Sequence, residues 1–397
     1  MPSVRIIATI LFAAAVAATG CTAHATVHPA AAPAPASSTP PATTTTDPTP
    51  NPPAGGPTGP TTTLALGHIE RLNAVQAIGT TSAVAVGKGV ILATSNSGRR
   101  WVRLWHGPQE LHQVDFVRAS TGWALGQGIL LGTVDGGQHW QRLGQPTVGP
   151  LRQVHFASPT RGWGVAGGND QPREGPVPQG ATRLVHTSDG GRSWSTLAAP
   201  APPQSVCFTA PDDGWLASGT RVWRSVDGGR HWSPRPSFTL PLSYTYMPSA
   251  ELQCAAPGAV WVLFDSGEGA AGSHPYALYT TDDGGAHWRG VLAVFGGQEL
   301  PAAPGSYPGP FSVIDPQRAF LLSPTPAAEA TGAVLISQGG SRLQRLPDLP
   351  GITLFAPTAV SFASASHGWA VGADLAGRAV LLATSDGGRS WHSQLPS

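Results

Sequence analysis

The chain has 397 residues and a formal charge of +1, with 50 glycines, 40 prolines and charged side chains at only 11% of positions. This length accommodates two average domains or one large repeat domain. The near-neutral charge provides no field that would attract nucleic acid or an anionic membrane surface, so nucleic-acid binding is excluded as a function class.

The first residues have the pattern of an export signal. Arg5 gives a positive start, and the apolar run 6–18 is too short to span a membrane but suits a signal peptide. Cys21 closes an Ala-Thr-Gly-Cys string that resembles a bacterial lipobox, with Ala where Leu is usual. We therefore expect 1–20 to be a signal peptide and Cys21 to carry a lipid at the outer face of the cytoplasmic membrane. Cleavage after Ala25, followed by secretion, is the alternative.

Residues 21–63 consist almost entirely of Thr, Pro, Ala, Gly and Ser. Such a segment buries too little apolar surface to offset its chain entropy, and its prolines keep it extended. At about 3 Å per residue, roughly 40 residues reach on the order of 100 Å. The segment is therefore predicted to be a disordered tether that precedes a folded domain over 64–397.

The folded part repeats an eight-residue string, called here the octamer. It reads TVDGGQHW at 133–140, and copies end at 101, 140, 194, 232, 288, 343 and 391. Asp-Gly-Gly is turn chemistry, because the carboxylate accepts bonds from downstream amides and the glycines adopt positive φ. The octamer acids are therefore predicted to hold their turns, and the octamer tryptophans to pack in the core. The acids are Asp135, Asp189, Asp227, Asp283 and Asp386.

A second string, Val-x-Phe followed by Gly-Trp, precedes most octamers, as at 114–123 and 360–369. Each unit therefore has the alternating apolar pattern of four short strands between turns. A spacing of roughly 38 to 56 residues between octamers suits a propeller blade. We predict an all-β, seven-bladed β-propeller of four-stranded antiparallel blades. Six or eight blades stay possible, because the first and sixth octamers are degraded.

These motifs resemble the Asp-box repeats of bacterial neuraminidases, and their alternation is most similar to the photosystem II assembly/stability factor propellers. The resemblance covers about 64–397 and specifies the fold more strongly than the function. It implies a protein-binding scaffold that holds a membrane protein or an assembly intermediate outside the cytoplasm. The basic ligand patch of that family is not carried over, because single arginines cannot be matched to it.

Two cysteines occupy matching strands of neighbouring blades. Cys207 and Cys254 differ by one position within those strands, so their side chains point to opposite faces of their own sheets. Adjacent blades present opposite faces to each other, so the two thiols can meet across one interface. In an oxidising compartment a disulfide between them is one outcome, and two buried free thiols are the other.

The long insertions are expected to share one face of the propeller. With strands labelled A to D from the centre outward, A–B and C–D connections lie on one face and B–C and D–A connections on the other. The octamers are C–D connections and the A–B connections are short, so the long insertions lie on the second face, called here the insertion face. The insertions are 167–183, 234–251, 266–276, 296–310 and 323–331.

Four of the five tyrosines fall in these insertions: Tyr244, Tyr246, Tyr276 and Tyr307. Aromatic loops on a rigid scaffold commonly bind ligands, so these tyrosines are the candidate binding residues. The alternative is that the insertions are tolerated surface decoration.

The primary functional prediction is a non-enzymatic scaffold without a cofactor, whose partner is a membrane or envelope protein. A lectin-like module that stacks tyrosines on cell-wall glycan is one alternative. The 13 histidines show no metal-ligand spacing, so no metal site is predicted.

A sialidase-like glycoside hydrolase is the other alternative. Those enzymes carry an Arg-Ile-Pro string near the start of the catalytic domain, and the similar string here stands at 345–347 in blade six. Two catalytic carboxylates would stand about 5 to 9.5 Å apart across a cleft. The candidate carboxylates all lie on insertions rather than at strand ends, which disfavours catalysis. They are Asp170, Glu174, Asp265 and Glu268.

Overall fold

The computed structural model describes residues 66, 68–168, 182–236, 248–266, 274–294, 300–325, 330–347 and 356–395. The compact unit that contains them spans Thr62–Ser397. All regular secondary structure in these residues is β-strand. Across the same residues, no helix is long and apolar enough to span a membrane. The predicted signal peptide, Cys21 and nearly all of the predicted tether lie outside the described residues.

The strands follow the repeats in order. Those of the first two repeats are β1 (Leu72–Ala77), β2 (Ala83–Thr94), β3 (Val102–Arg118), β4 (Thr121–Gly126), β5 (Ile129–Thr133) and β6 (Gln141–Arg142). Those of repeats 3 and 4 are β7 (Leu151–Phe156), β8 (Gly162–Gly167), β9 (Thr182–Thr187), β10 (Ser195–Leu197), β11 (Ser205–Phe208), β12 (Gly214–Ser218), β13 (Arg221–Ser225) and β14 (Ser233–Pro234).

The remaining three repeats each contain four strands. Those of repeats 5 and 6 are β15 (Ser249–Ala256), β16 (Ala259–Asp265), β17 (Tyr276–Thr281), β18 (Arg289–Ala293), β19 (Phe311–Asp315), β20 (Arg318–Thr325), β21 (Ala330–Ser337) and β22 (Arg342–Leu346). Those of repeat 7 are β23 (Ala356–Phe362), β24 (Gly368–Ala373), β25 (Ala379–Thr384) and β26 (His392–Ser393).

In the described residues the strands form five four-stranded sheets and one six-stranded sheet, all antiparallel. The larger sheet contains repeats 1 and 2. β2 pairs with β1 through its first half and with β3 through its second half, on either side of Gly89, whose φ is 67°. The 17-residue strand β3 then continues into repeat 2 and pairs with β4. One strand thus replaces the expected connection between the first two repeats.

Seven hydrophobic clusters lie among the described residues, and each is formed by two neighbouring repeats. One of them joins Leu72 and Ala85 of repeat 1 to Trp369 and Leu381 of repeat 7, so the ring is closed. Because the sheet of each repeat packs apolar side chains against the repeats on both sides of it, each repeat depends on both neighbours. The predicted all-β propeller of four-stranded antiparallel blades is confirmed, with seven repeats around the ring.

The octamer turns and the A–B turns share one face of the ring, called here the octamer face. A backbone amide of each octamer donates to a carbonyl of the A–B turn in its own repeat, as Gly136 does to Ser120 and Gly190 to Thr160, both at 2.9 Å. The B–C and D–A connections therefore leave from the opposite end of each sheet, which is the insertion face.

Candidate functional site

The octamer acids are bound within their own turns. In repeat 2, the Thr133 hydroxyl donates to Asp135 Oδ1 at 2.8 Å, and the His139 backbone amide donates to the same oxygen at 3.0 Å. The backbone amide and imidazole of His139 hold the pKa of Asp135 well below its usual range. Equivalent threonine or serine bonds recur at Asp189, Asp227, Asp283 and Asp386. These carboxylates order their turns, and none of these bonds joins one octamer to another.

The two Gly-Trp tryptophans of repeats 2 and 3 link each repeat to the next one. Trp123 stacks on Phe156 at 3.4 Å between ring centroids and donates its indole N–H to the Gly190 carbonyl at 2.9 Å. Trp163 does the same with Phe208 and the Gly228 carbonyl. Four octamer tryptophans instead meet the Val-x-Phe phenylalanine of their own repeat edge-on: Trp140, Trp194, Trp232 and Trp391. Trp288 is edge-on to Trp215 of the preceding repeat. Of the octamer tryptophans, Trp101 and Trp391 are buried and the other four are half-buried.

Cys207 on β11 and Cys254 on β15 are joined by a disulfide, with their Cα atoms 5.8 Å apart. β11 and β15 are the innermost strands of repeats 4 and 5, so this is a covalent link between neighbouring repeats near the centre of the ring. Both cysteines pack in the hydrophobic cluster between those repeats, where Cys207 is 2% exposed.

A ring of side chains on the innermost strands clasps each repeat to the next. The clasp is made by the middle residue of Val-x-Phe or its equivalent, which lies opposite the Gly-Trp tryptophan in the strand register of five repeats. We call these seven the clamp residues: Gln76, Asp115, His155, Cys207, Gln253, Ser312 and Ser361. Apart from Cys207, sequence reasoning left this middle position unassigned.

The clamp residues bond to backbone groups of the following inner strand, except Cys207, which forms the disulfide. Gln253 donates to the Phe311 carbonyl at 2.7 Å and accepts from the Val313 amide at 3.0 Å. Ser361 accepts from the Ala77 amide at 2.9 Å and so closes the ring. The innermost strand of a blade is an edge strand, and these bonds satisfy backbone groups that it would otherwise present to water. The ring around the central channel is therefore fixed at every junction.

Two of the four candidate tyrosines, Tyr276 and Tyr307, lie in the described residues, and they differ in burial. Tyr244 and Tyr246 lie outside the described residues. Tyr276 is completely buried, and its hydroxyl donates to Ser323 Oγ at 2.7 Å. Burial raises the pKa of this phenol above its usual range. Tyr276 therefore belongs to the core and offers no exposed ring to a ligand. Tyr307 is half-buried and stacks on His274, with 4.5 Å between ring centroids.

Part of one insertion forms an ordered segment, residues 300–310, called here the strap. The Ser323 hydroxyl that accepts from Tyr276 donates to the Tyr307 carbonyl at 2.7 Å, so the buried phenol supports the strap through Ser323. Gly309 lies so close to the Leu322 carbonyl that a Cβ would be 2.1 Å from its oxygen. The strap is therefore held against repeat 6 by side-chain bonds and by close backbone contact.

A cavity of about 470 Å³ lies where the strap meets the inner strands, and we call it the channel mouth. Its walls come from repeats 1, 5, 6 and 7, which can share a cavity only at the centre of the ring. They include the starts of β15 and β19 and the end of β16, so the cavity lies on the insertion face. The lining side chains used below are those of Ser249, Glu251, Asp265, Pro308, Pro310 and Pro357.

Among the described residues, this lining contains the acidic side chains of Glu251 and Asp265 and no lysine, arginine or histidine. Asp265 is the last residue of β16, so the expectation that it lies on an insertion rather than at a strand end is wrong. Asp265 pairs with Ser249 of β15 and with Tyr276 of β17, so β16 extends as far as Asp265. Sequence reasoning did not select Glu251. Asp170, Glu174 and Glu268 lie outside the described residues.

Groups of three or more residues that could hold a metal ion are absent from the described part of the chain. The second cavity, of about 130 Å³, lies on the octamer face and is lined by Asp282, Asp283 and His287 among others. Asp283 and His287 are already bonded to each other in their octamer turn, at 2.7 Å between Nδ1 and Oδ2. The carboxylate of Asp283 in this smaller cavity therefore already serves to order an octamer turn.

No protein-family model and no curated protein matches this chain. Among solved structures, YCF48 bound to a D1 peptide is similar with a TM-score of 0.50 at 15% identity, over 81% of this chain and 94% of that one. The GH74 enzyme of Niastella koreensis is similar with a TM-score of 0.57 at 13% identity, over 83% and 55%. An oligogalacturonate lyase in complex with manganese has a TM-score of 0.52 at 10% identity, over 78% and 88%. At these identities the shared property is the β-propeller fold.

Proposed function

We propose that this protein is a binding scaffold, and that a peptide segment of a membrane or envelope protein occupies its channel mouth. The observation that carries the proposal is the cavity of about 470 Å³ between the fixed strap and the inner strands of four repeats. A concave cavity of that size can hold a short peptide segment, whereas the flat surface of a folded partner could not enter it.

The clasped ring supports a binding role. A preformed site loses little conformational entropy on binding, so its contacts contribute more fully to affinity. The clamp bonds and the disulfide hold the inner strands that form the cavity walls. YCF48, a similar propeller, was solved with a D1 peptide bound, which gives a precedent for a peptide ligand on this fold.

We propose in addition that the protein is located outside the cytoplasm, with Cys21 lipidated and residues 21–63 acting as a tether. The sequence pattern of the N-terminus supports this location, and so does the Cys207–Cys254 disulfide, because disulfides are favoured in oxidising compartments. Detergent partitioning and intact mass of the wild type and Cys21→Ala test it. Loss of both the lipid mass and membrane retention in the variant supports the anchor. An unlipidated, released wild type contradicts it.

Glycoside hydrolysis is the second candidate, because one observation favours it. Glu251 and Asp265 line the same cavity, and paired carboxylates are what most glycoside hydrolases use. The Niastella koreensis GH74 enzyme is a propeller of similar fold. Reducing-end release from a panel of soluble polysaccharides tests this candidate. Hydrolysis by the wild type that is lost in both Glu251→Gln and Asp265→Asn would establish an enzyme.

Photocrosslinking in cells tests the scaffold. Crosslinked partners are captured with the full chain, with Ser249→Trp, which fills the channel mouth, and with Ser195→Trp as a matched control. Ser195 is exposed on the outermost strand of repeat 3. A membrane or envelope protein captured by the wild type and the control, but not by Ser249→Trp, supports the scaffold. Equal capture by all three contradicts binding at the channel mouth, and retention on purified wall glycan alone supports the lectin alternative.

A further inference from the structure

A second set of side-chain bonds joins the innermost strands, from a position two residues before the clamp residue. Gln113 donates to the Val154 carbonyl at 2.6 Å and accepts from the Val154 amide at 3.0 Å. Gln153 accepts from the Val206 amide at 2.9 Å, and Ser205 makes the corresponding contact between repeats 4 and 5. Each of these side chains bonds to a backbone group that the following inner strand would otherwise present to the channel.

At the junction of repeats 6 and 7, this second position is occupied by a proline. Pro310 lies two residues before the clamp residue Ser312, just as Gln113 lies two residues before Asp115. The ring of proline carries neither a donor nor an acceptor, so Pro310 cannot form the pair of bonds that Gln113 forms. The Ser312 hydroxyl accepts from the Phe362 amide at 3.0 Å, so this junction keeps its clamp bond.

The strand edge that Pro310 leaves open is at Val360. This residue corresponds to Val154, because each lies one residue before the clamp position opposite the Gly-Trp tryptophan. The Phe362 amide faces Ser312, and strand alternation turns the N–H and C=O of Val360 to the same side. In the part of the chain that the structure describes, no turn or side chain bonds to these two groups. Val360 lines the channel mouth, which therefore contains an open strand edge.

The main chain of an extended peptide has the groups that fit this edge. At the equivalent position the carboxamide of Gln113 supplies a donor and an acceptor side by side. A residue of an extended peptide supplies the same pair, its own N–H and C=O, and peptides commonly bind by adding a strand to an exposed edge. Pro308 and Pro357 line the same cavity, whose volume of about 470 Å³ leaves room for a short segment.

We propose that the channel mouth binds its peptide in an extended conformation, with one residue of the ligand main chain bonded to the N–H and C=O of Val360. The ligand thereby becomes a short added strand beside β23. This inference rests on the proposed peptide-binding function and adds to it the mode of recognition. It assigns Val360 as a contact residue and Pro310 as the residue that keeps the edge open.

Three variants of the full chain test the open edge. Pro310→Gln places in repeat 6 the side chain that Gln113 has in repeat 2, so it should fill the edge at Val360. Pro310→Ala leaves the edge open, and Pro234→Gln is the matched control on the exposed outer strand β14. Peptides selected on the wild type from a displayed library of random nonamers are then measured on all three. We expect the affinity to fall about tenfold or more in Pro310→Gln and to be unchanged in the other two.

Methylation of the peptide main chain tests the bond itself on the wild-type protein. Each amide of one selected peptide is N-methylated in turn, which removes one donor at a time. We expect the affinity to fall about tenfold or more at the position that bonds to Val360. The loss should be much smaller at the two neighbouring amides, because successive amides of an extended chain point to opposite sides. This series needs no variant, so it tests the proposal even where Pro310→Gln lowers the melting temperature.

The two levels of the proposal fail in different ways. Peptides that bind a stably folded Pro310→Gln as tightly as the wild type overturn the open edge but keep peptide binding. Peptides that share an asparagine or glutamine and tolerate a methyl group at every amide overturn main-chain recognition in favour of a side-chain carboxamide. Selection of no peptide by the wild type overturns peptide binding and its mode together.

Discussion

The side-chain amide of Gln76 bonds to both backbone groups of Phe116, donating to the carbonyl at 3.1 Å and accepting from the amide at 2.6 Å. One glutamine of repeat 1 thereby satisfies the edge of the innermost strand of repeat 2. Gln113 forms the same pair of bonds with Val154, between repeats 2 and 3. A side-chain amide carries a donor and an acceptor at the spacing of a peptide group, so it can replace a neighbouring strand locally.

Gln76→Ala should destabilise the protein by about 1 to 3 kcal/mol, because it leaves the Phe116 amide and carbonyl without these partners. Chemical denaturation followed by tryptophan fluorescence measures the change. Gln141→Ala, at an exposed position of the outer strand β6, is the control and should leave stability nearly unchanged. Equal midpoints for the two variants would show that the clamp contributes nothing to stability.

Gly162→Ala should be destabilising by about 1 to 3 kcal/mol through overpacking. A Cβ at Gly162 would be 2.5 Å from the Phe156 ring, and that ring cannot withdraw because it stacks on Trp123. Gly79→Ala is the control, since a Cβ there meets nothing within 4 Å. The melting temperatures of both variants test the prediction, which fails if Gly162→Ala melts with the wild type.

Replacing Cys207 and Cys254 together by serine should lower stability by about 2 to 4 kcal/mol. The cysteines are 47 residues apart in sequence, and the loop that the disulfide closes restricts the unfolded chain. Denaturation with and without reductant checks this. The reduced wild type should behave like the double variant, and the double variant should not respond to reductant. A wild type that is insensitive to reductant after complete unfolding and refolding would contradict the link.

The octamer carboxylates should make the fold sensitive to acid. Hydrogen bonds from Ser193 and Thr187 outweigh the effect of desolvation at Asp189, whose pKa is about 2 instead of 3.8. The pKa of Asp227, bonded by the amide of His231, is also about 2. Because these folded-state values lie below the unfolded ones, their stabilisation is present above about pH 4 and is lost as the pH falls through about 2.

Thermal unfolding between pH 6 and pH 2, at intervals of roughly half a unit, tests this acid sensitivity. Asp227→Asn keeps an acceptor in the turn but cannot titrate, so its melting temperature should fall less steeply in acid than that of the wild type. Parallel curves for the two proteins would contradict a role for this carboxylate in acid unfolding. These turns are exposed to solvent, so the effect of a single residue should be small.

The octamers and the Gly-Trp strings predict the blades because they are local signals. A turn needs its Asp, its glycines and its threonine within a few residues, so the requirement is visible in one copy and repeated in the next. The positions of Cys207 and Cys254 also predict that their side chains can meet, because strand alternation fixes the face on which each side chain lies.

The clamp residues could not be predicted in the same way. Glutamine, aspartate, histidine, cysteine and serine all serve at this one structural position, so no single residue type marks it in the sequence. What they share is a partner in the next repeat, and that partner becomes visible only when the ring is closed. Tyr276 illustrates the opposite error: it stands beside an insertion in the sequence, but it begins β17 and is buried under the strap.

Because of the long strand β3, the seven repeats are not equivalent in the way we expect them to unfold. Between repeats 2 and 3 and between repeats 3 and 4, a loop joins the fourth strand of one repeat to the first strand of the next, whereas β3 passes through both positions without interruption. Repeats 1 and 2 therefore cannot separate without breaking a strand, and we expect them to unfold as one cooperative unit. New chain termini placed between repeats 2 and 3 should be tolerated, while termini placed within β3 should prevent the ring from closing.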